Sequence, residues 1–344
     1  MFFYGNFIRN ILHESCIRIH MNEMNRKKID VLVVTYNEEN YIRRCLESIL
    51  MQTIKEDVVI YIGDDCSNDG TPELIAEYAA KYPNQIVPVF HKQNMGASAN
   101  LRHLLEMAED EFIAFCDGDD YWVSPDKLEM QRKFLSQYPQ YVGNVHNVKI
   151  VDGAGKDTGI HRLEWLTLSD DIGLEEYDGM HLPGQLSSLC IRNFKYLGLT
   201  DLSLMESDRQ VSDKVIFLLA LSLGRIYRMP LVMGAYRLVR EVGEENASSL
   251  RIDSISSMDA KDMYLVNCME QWLSTNSDWK NKFIQARSQI IATAIFHKIK
   301  YPAIHFGQIW KGCRHKGQVV TVLPLAICEK IVIRIRMRLR LVVR

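Results

Sequence analysis

What this sequence does not contain narrows it first. No stretch reaches the roughly 18 to 20 apolar residues that a membrane-spanning helix needs. The eight cysteines, at 16, 45, 66, 116, 190, 268, 313 and 328, form no C-x-x-C pair. Neither a zinc site nor a disulfide framework is therefore indicated, and a reducing cytoplasm fits this cysteine usage. No glycine-rich phosphate loop of either standard form follows the first predicted strand, which counts against a dinucleotide or P-loop site. Net charge is small too: a formal −2 over 344 residues lacks the basic excess of a general nucleic-acid binder. There is no internal repeat, no low-complexity segment, and no signal-like apolar stretch with a small-residue cleavage site near the start. The sheet pattern begins only at Ile29, so residues 1–28 are expected to form a leader outside the fold, with Met21 or Met24 as alternative starts.

What is present is an ordinary globular composition, 47% hydrophobic and 24% charged, enough to bury at least one full core. The charge is unevenly placed. From Lys298 to Arg344 there are eleven Lys or Arg against one acidic residue, Glu329, which makes a basic end on an otherwise acidic body.

Ile29 to Thr35 (IDVLVVT) is a short β-branched apolar run, the pattern of a strand buried on both faces of a parallel sheet. From Glu39 to Gln52, Ile42, Cys45, Leu46, Ile49 and Leu50 fall at helical spacing. Val58–Ile62 predicts a second strand, Thr71-Pro72 opens a helix, and Ile86–Phe90 predicts a third strand. A helix over 97–108, a strand over 112–116 and a helix over 125–138 follow. This alternation is that of an α/β sheet with helices on its faces. Residues 151–179 read as irregular. Strands are expected at 186–191 and 224–229 with a helix at 215–223 between them, and helical periodicity runs from Ser256 to Phe296.

Ligands of an open α/β sheet bind beyond the carboxyl ends of its strands. Four such junctions here are loaded with polar residues: Thr35-Tyr36-Asn37-Glu38, the run Asp64 to Gly70, Asn94-Met95-Gly96, and Asp117-Gly118-Asp119-Asp120. Three carboxylates within four residues repel one another unless a cation neutralises them. Mg²⁺ is usually held by one or two carboxylates plus substrate phosphates, so a divalent ion is the natural candidate. The plain alternative is a solvated acidic turn.

The linked segments VLVVTYNEENYIRRCLESILMQT, VIYIGDDCSNDGT, NMGASANLRHLLEMAEDEFIAFCDGDDYW and SPDKLEMQRKFL resemble the family 2 glycosyltransferases, closely over 29–150 and more loosely to about 240. The nearest likeness is to bacterial enzymes that build capsule, O-antigen or other surface polysaccharides. The resemblance implies a GT-A fold, a Rossmann-like, mostly parallel sheet flanked by helices. The expected layout is a catalytic domain over 29–240, split into a nucleotide-sugar half (29–120) and an acceptor half (121–240). A helical region over 241–329 and a basic-aliphatic tail over 330–344 follow. The resemblance also implies Mg²⁺ or Mn²⁺ as cofactor and a nucleotide-sugar donor, a UDP-sugar in first place. It implies a glycan or lipid-linked acceptor and cytoplasmic work at or near the inner face of the membrane.

Carried over by motif, Thr35, Tyr36, Asn37, Glu38, Asp65, Asn94, Gly96, Asp117 and Gly118 fall at the donor site, with Asp65 accepting from the base. Asp117 and Asp119, with Asp120 beside them, fall at the metal. Asp64 and Asp69 are read as structural, turning their loop through Asx-type bonds. Asp213, heading KVIFLLALSLGRIY, falls at the general base of an inverting transfer, with Asp208 and then Glu206 as substitutes. An N-cap is its structural alternative. Tyr236-Arg237 lacks the His often found two residues later in the family, so Arg237 and Arg240 stand as candidate diphosphate contacts. No Q-x-x-R-W motif occurs, which favours single-sugar over processive transfer. His91, Arg102 and Gln185 lie where sugar selection is expected. Competing classes are a non-catalytic nucleotide-sugar-binding module and a nucleotidyltransferase. At the tail, Ile331 to Arg344 alternates Arg with aliphatics in a strand-like pattern. It reads either as an edge strand or disordered tail, or as a peripheral membrane contact.

Overall fold

A computed structural model describes residues 28–160, 169–177, 181–207, 213–238, 252–273, 279–300 and 306–342. Strands β1 (Ile29–Thr35), β2 (Val58–Asp64), β3 (Ile86–Phe90) and β4 (Phe112–Asp117) form a parallel block in the order β3-β2-β1-β4. The crossovers are helices α1 (Ile42–Leu50), α2 (Thr71–Lys81) and α3 (Ala97–Met107). Because side chains alternate across a strand, Val31 and Val33 join Ile42, Cys45, Leu46 and Ile75 on one face. Leu32 joins Leu101, Leu104 and Leu105 on the other.

Beyond β4 the sheet changes direction. After β5 (Tyr121–Trp122) and α4 (Lys127–Gln137) comes β6 (Tyr141–Val151), an eleven-residue strand where no strand was expected. β8 (Cys190–Arg192) lies antiparallel between β4 and β6. β9 (Arg225–Arg237) lies parallel to β6 and carries β5 and β7 (Asp171–Ile172) as antiparallel partners. The strand expected at 186–191 is a single 3₁₀ turn, Leu186–Ser188, before β8 begins. That turn proves central to the site.

α5 (Asp213–Leu223) is buried along Val215–Leu221 on all sides, as an all-apolar helix must be. The predicted C-terminal helical stretch is two helices, α6 (Ile252–Trp272) and α7 (Trp279–Lys300), followed by α8 (Phe306–Gly312) and α9 (Lys316–Val342). Met263, Met269, Ile290, Ile291, Ile309 and Val319 belong to the same core cluster as Leu101 and Phe217, so these helices pack on one face of the sheet. The tail's alternation is strand-like, and an edge strand is one of the readings it leaves open; the backbone is helical to Val342. Alternation alone does not fix local structure when a helix already seated by Val319 and Ala326 runs on into the segment.

Candidate functional site

The ends of β1 and β2 lie side by side, Thr35 opposite Asp64, and the loops leaving them are knitted together. Asn37 N donates to Ser67 Oγ at 2.8 Å, Glu38 N to Thr71 Oγ1 at 2.8 Å, and Glu39 N to Asp69 Oδ2 at 3.1 Å. In return, Asn68 N reaches Asn37 Oδ1 at 2.9 Å and Gly70 N reaches Glu39 Oε2 at 2.7 Å. Asn37 accepts a left-handed backbone to do this, with φ of 55°, a cost that Asn bears better than most residues. Asp64 accepts from Ser67 N and Oγ, and Asp69 from Thr71 N. Both are loop-forming, as expected.

Behind this loop Thr35 Oγ1 donates to Glu38 Oε2 at 2.8 Å. Gly118 is tied to β1 by its N–H to Val34 O at 3.0 Å. A Cβ on Gly118 would strike Glu38 Oε2 and lie 2.9 Å from Thr35 Oγ1. Thr35, Glu38 and Gly118, named separately from three motif positions, are thus one contact. Tyr36 is exposed at the rim and Asn94 is exposed at its turn. Buried Asp65 takes the N–H groups of Met95 and Gly96 at 2.7 and 2.8 Å. It therefore pins the turn before α3, where Gly96 stands at φ 91°. Each Asp65 oxygen retains a second lone pair that a base N–H could use.

The four residues of the acidic turn do different things. Asp120 is fully engaged: Oδ1 accepts Arg237 N at 2.8 Å, and Oδ2 accepts Ser187 Oγ at 2.7 Å and Gln185 Nε2 at 3.1 Å. Asp117 Oδ2 has only the longer contacts to Ser187 Oγ and Gln185 Nε2, at 3.2 and 3.4 Å. For Asp119, no hydrogen bond from another described residue to the carboxylate is found. Of the three carboxylates expected at a metal, Asp117 and Asp119 are thus the less engaged, and Asp120 holds the turn together.

Burial, then the charge of Asp119 and a share from Asp213, push the Asp117 carboxyl up to about 7. Burial raises Asp119 to about 6 against the opposing charge of Arg237. Glu38 is driven well above the ordinary carboxylate range by burial and by Asp119. Crowded acids that resist losing their protons are what a divalent cation relieves. No three His, Cys, Asp or Glu among the described residues are placed to hold a metal by themselves. Asp117 and Asp119 fit an ion that completes its shell from phosphate oxygens and water, as Mg²⁺ does.

Arg237 does not reach outward. Its Nε donates to Asp119 O at 2.8 Å and its Nη1 to Asp152 O and Gly153 O at 3.0 and 2.6 Å, while the guanidinium covers the Tyr41 ring at 4.2 Å. These bonds secure the acidic turn against the β6–β7 connection. Arg240 lies outside the described residues.

Asp213 opens α5 and accepts its neighbour's N–H, Lys214 N, at 2.7 Å. Burial raises its carboxyl, with Lys214 opposing. Its charge acts on Asp117, and Asp120, Asp119, Asp117 and Asp213 all act on the Tyr236 phenol, which burial also raises. Asp213 and the acidic turn, 93 to 96 residues apart in sequence, therefore share one electrostatic neighbourhood. Glu206 pairs with Arg102 on the exterior, and Asp208 lies outside the described residues. His91 bonds Asn100 Oδ1 at 3.0 Å.

Sequence reasoning missed Ser187 as a partner of the acidic turn and placed Gln185 only in a selection loop. Ser187 Oγ also accepts Asp117 N at 3.0 Å, and Gln185 Oε1 accepts Ser187 N at 2.5 Å. No local signature announces such contacts, which join groups about 65 to 70 residues apart.

A mostly parallel sheet with its carboxylates gathered beyond β1, β2 and β4 defines a GT-A-like α/β protein. Residues 30–197, just under half of the chain, match the model of Glycosyl transferase family 2. A Mycobacterium tuberculosis protein is 39% identical over 139 residues, 40% of this chain and 40% of its own length. TuaG of Bacillus subtilis, named as a teichuronic acid biosynthesis glycosyltransferase, is 33% identical over 145 residues, 41% of this chain and 56% of its own. The matched segment thus spans about half or less of these relatives. Among solved structures, S. aureus TarS residues 1–349 in complex with UDP-GlcNAc aligns over 88% of both chains with a TM-score of 0.51 and 17% identity. That likeness is one of fold.

Proposed function

We propose that this chain transfers a single sugar from a nucleotide-sugar donor, a UDP-sugar, to a hydroxyl of a glycan or lipid-linked acceptor in bacterial surface-polysaccharide synthesis, with inversion at the anomeric carbon. One observation carries the reading: Asp117 and Asp119 are the least-bonded carboxylates of the acidic turn, and the charge of Asp213 reaches Asp117.

In this reading the first two hold the donor diphosphate through Mg²⁺ or Mn²⁺, which would offset the charge building on the leaving group. Thr35, Glu38 and Asp65 line the nucleoside side. Asp213, with its raised proton affinity, accepts the proton of the attacking hydroxyl, a contribution of roughly 10²- to 10⁴-fold. A single base-assisted displacement inverts configuration. The UDP preference leans on Asp65 and on the donor that TarS holds.

The catalytic unit is proposed to span 29–240, with the C-terminal helices as a support and a route to peripheral membrane contact. No helix among the described residues is long and apolar enough to cross a membrane. The test is a panel of nucleotide sugars followed by thermal shift with Mg²⁺ or Mn²⁺. A ligand at about 100 times its dissociation constant stabilises by ~2.7 kcal/mol, so a UDP-sugar is expected to raise the melting temperature more with metal than with EDTA. Absence of any metal-dependent shift across the panel overturns the reading.

A further inference from the structure

Lys127 is fully buried at the start of α4, yet among the described residues no carboxylate pairs with it. An unpaired buried charge costs several kcal/mol, so its surroundings need an account. Its Nζ sits 3.8 Å from the centre of the Trp122 ring and donates to Gln131 Oε1 at 2.8 Å. Burial lowers the ammonium to about 8.

Both partners of the ammonium act on the same short turn. Trp122 Nε1 donates to Ser187 O at 2.9 Å, and Gln131 Nε2 donates to Ser188 O at 2.9 Å. Two successive carbonyls of the 3₁₀ turn Leu186–Ser188 are therefore held by the two groups that Lys127 touches. The same turn presents Ser187 Oγ to Asp117 and Asp120, beside Gln185 Nε2. A continuous set of contacts runs from the ammonium through Trp122 and Gln131 to the peptide at 187–188 and on to the acidic turn.

We infer that Lys127 is a positioning residue for the donor metal site, fixing Trp122 and Gln131 so that the turn at 185–188 holds Asp117 in place. A cation suits this task because it binds an indole face and an amide oxygen at once, which no apolar side chain does. The inference rests on the reading of Asp117 and Asp119 as metal carboxylates. Outer-shell partners of metal ligands typically contribute 10- to 100-fold in metal affinity.

The experiment measures UDP binding to the full chain by calorimetry, with Mn²⁺ and with EDTA, alongside a melting curve for each variant. Wild type is expected to bind UDP more tightly with Mn²⁺, and Asp119→Ala to lose that gain. Lys127→Met is expected to weaken the Mn²⁺-dependent gain about 10- to 100-fold while leaving UDP binding in EDTA unchanged; Lys127→Arg restores part of it. Trp122→Phe keeps an aromatic face but removes the Nε1–H, and is expected to lose affinity in the same direction. It decides the matter if Lys127→Met does not fold. Wild-type affinity in either folded variant, or an equal loss with and without Mn²⁺, overturns the positioning role. A wild-type protein that shows no Mn²⁺ effect instead removes the donor-site reading beneath it.

Discussion

The main-chain N–H of Arg237 donates to Asp120 Oδ1 at 2.8 Å, binding the last residue of β9 to the last carboxylate of the acidic turn. The same arginine's Nε returns to Asp119 O. Asp119 is therefore fixed through its backbone while its carboxylate stays open, and Asp120 spends its carboxylate on the fold. Neighbours in sequence, they divide structure and chemistry between them.

That division is measurable. Asp120→Ala strands the Arg237 N–H and leaves Ser187 Oγ and the Gln185 amide only their longer contacts to Asp117, so a loss of about 1–3 kcal/mol is expected in urea denaturation. Asp119→Ala removes a disfavoured, repelling charge with no hydrogen bond to lose, and it is expected to be at least as stable as wild type at neutral pH. Metal-dependent UDP binding should vanish in Asp119→Ala. Equal destabilisation of the two variants would contradict the assignment.

Gly118→Ala tests the contact behind the acidic turn. The added Cβ would meet the Glu38 carboxylate and lie 2.9 Å from both Thr35 Cβ and Oγ1, so overpacking of about 1–3 kcal/mol is expected. Nucleotide binding should weaken with and without metal if Thr35 and Glu38 line the nucleoside side, as proposed. Unchanged UDP affinity in EDTA would show that this contact lies outside the nucleotide pocket.

The parallel half was legible in the sequence because its strands are apolar on both faces and its helices keep a clear period. β1 and β3 run from 29 to 35 and from 86 to 90, as expected. β6 was not legible, because buried Asn144 and His146 interrupt its apolar pattern. Asn144 is accommodated by Gln131 O at 3.0 Å, a tertiary partner with no local sign. The site followed the same rule. Residues after strand ends could be named, but the duties of Asp120, Arg237 and Gln185 depend on partners distant in the chain. The tail shows the converse, a strand-like alternation on a helix whose first half is seated in the core.

A pH effect is expected away from the site, at Asp30. This carboxyl is buried beneath the N–H groups of Glu109 and Asp110, at 2.7 and 2.8 Å. Burial, with a further push from Asp110, raises it from 3.8 to about 6. The folded chain then holds a proton that the unfolded chain has released, so this contribution is full below pH ~3.8 and is lost as pH rises through about 6. Asp30→Asn cannot titrate. Its stability relative to wild type is expected to increase between pH 4 and 6 and level off above, by urea titration at fixed ionic strength. A constant difference across that window would refute the shift.

Asp213→Asn separates base from binding. The amide keeps the shape and the acceptor oxygen that Lys214 N uses, but it cannot take the proton of an attacking hydroxyl. A loss of about 10²- to 10⁴-fold in kcat is expected, with metal-dependent UDP affinity within twofold of wild type. Product made by the wild-type enzyme should carry the inverted anomeric configuration. Retention, or near-normal turnover in the variant, would remove Asp213 from the base role.

The end of α9 bears on where the chain works. Val319 and Ala326 face the core, whereas Val320, Leu325, Ile331 and Val332 are exposed on the same helix. Glu329, the one acidic residue of the basic stretch, accepts from Gln289 Nε2. Past Lys330 the sequence supplies five arginines and no acid. Such a helix can lay aliphatic side chains at a headgroup boundary while guanidinium groups meet lipid phosphates. Each basic residue near an anionic surface contributes about 1 kcal/mol. Truncation after Glu329 leaves Val319 and Ala326 in place, so the melting temperature and transfer to a soluble acceptor analogue should change little. Sedimentation with phosphatidylserine vesicles at low salt should fall sharply, and the full chain should lose its own binding as salt is raised. Equal partitioning of the two proteins would rule out the tail as the membrane contact. Loss of soluble-acceptor activity would instead make the end of α9 part of the fold.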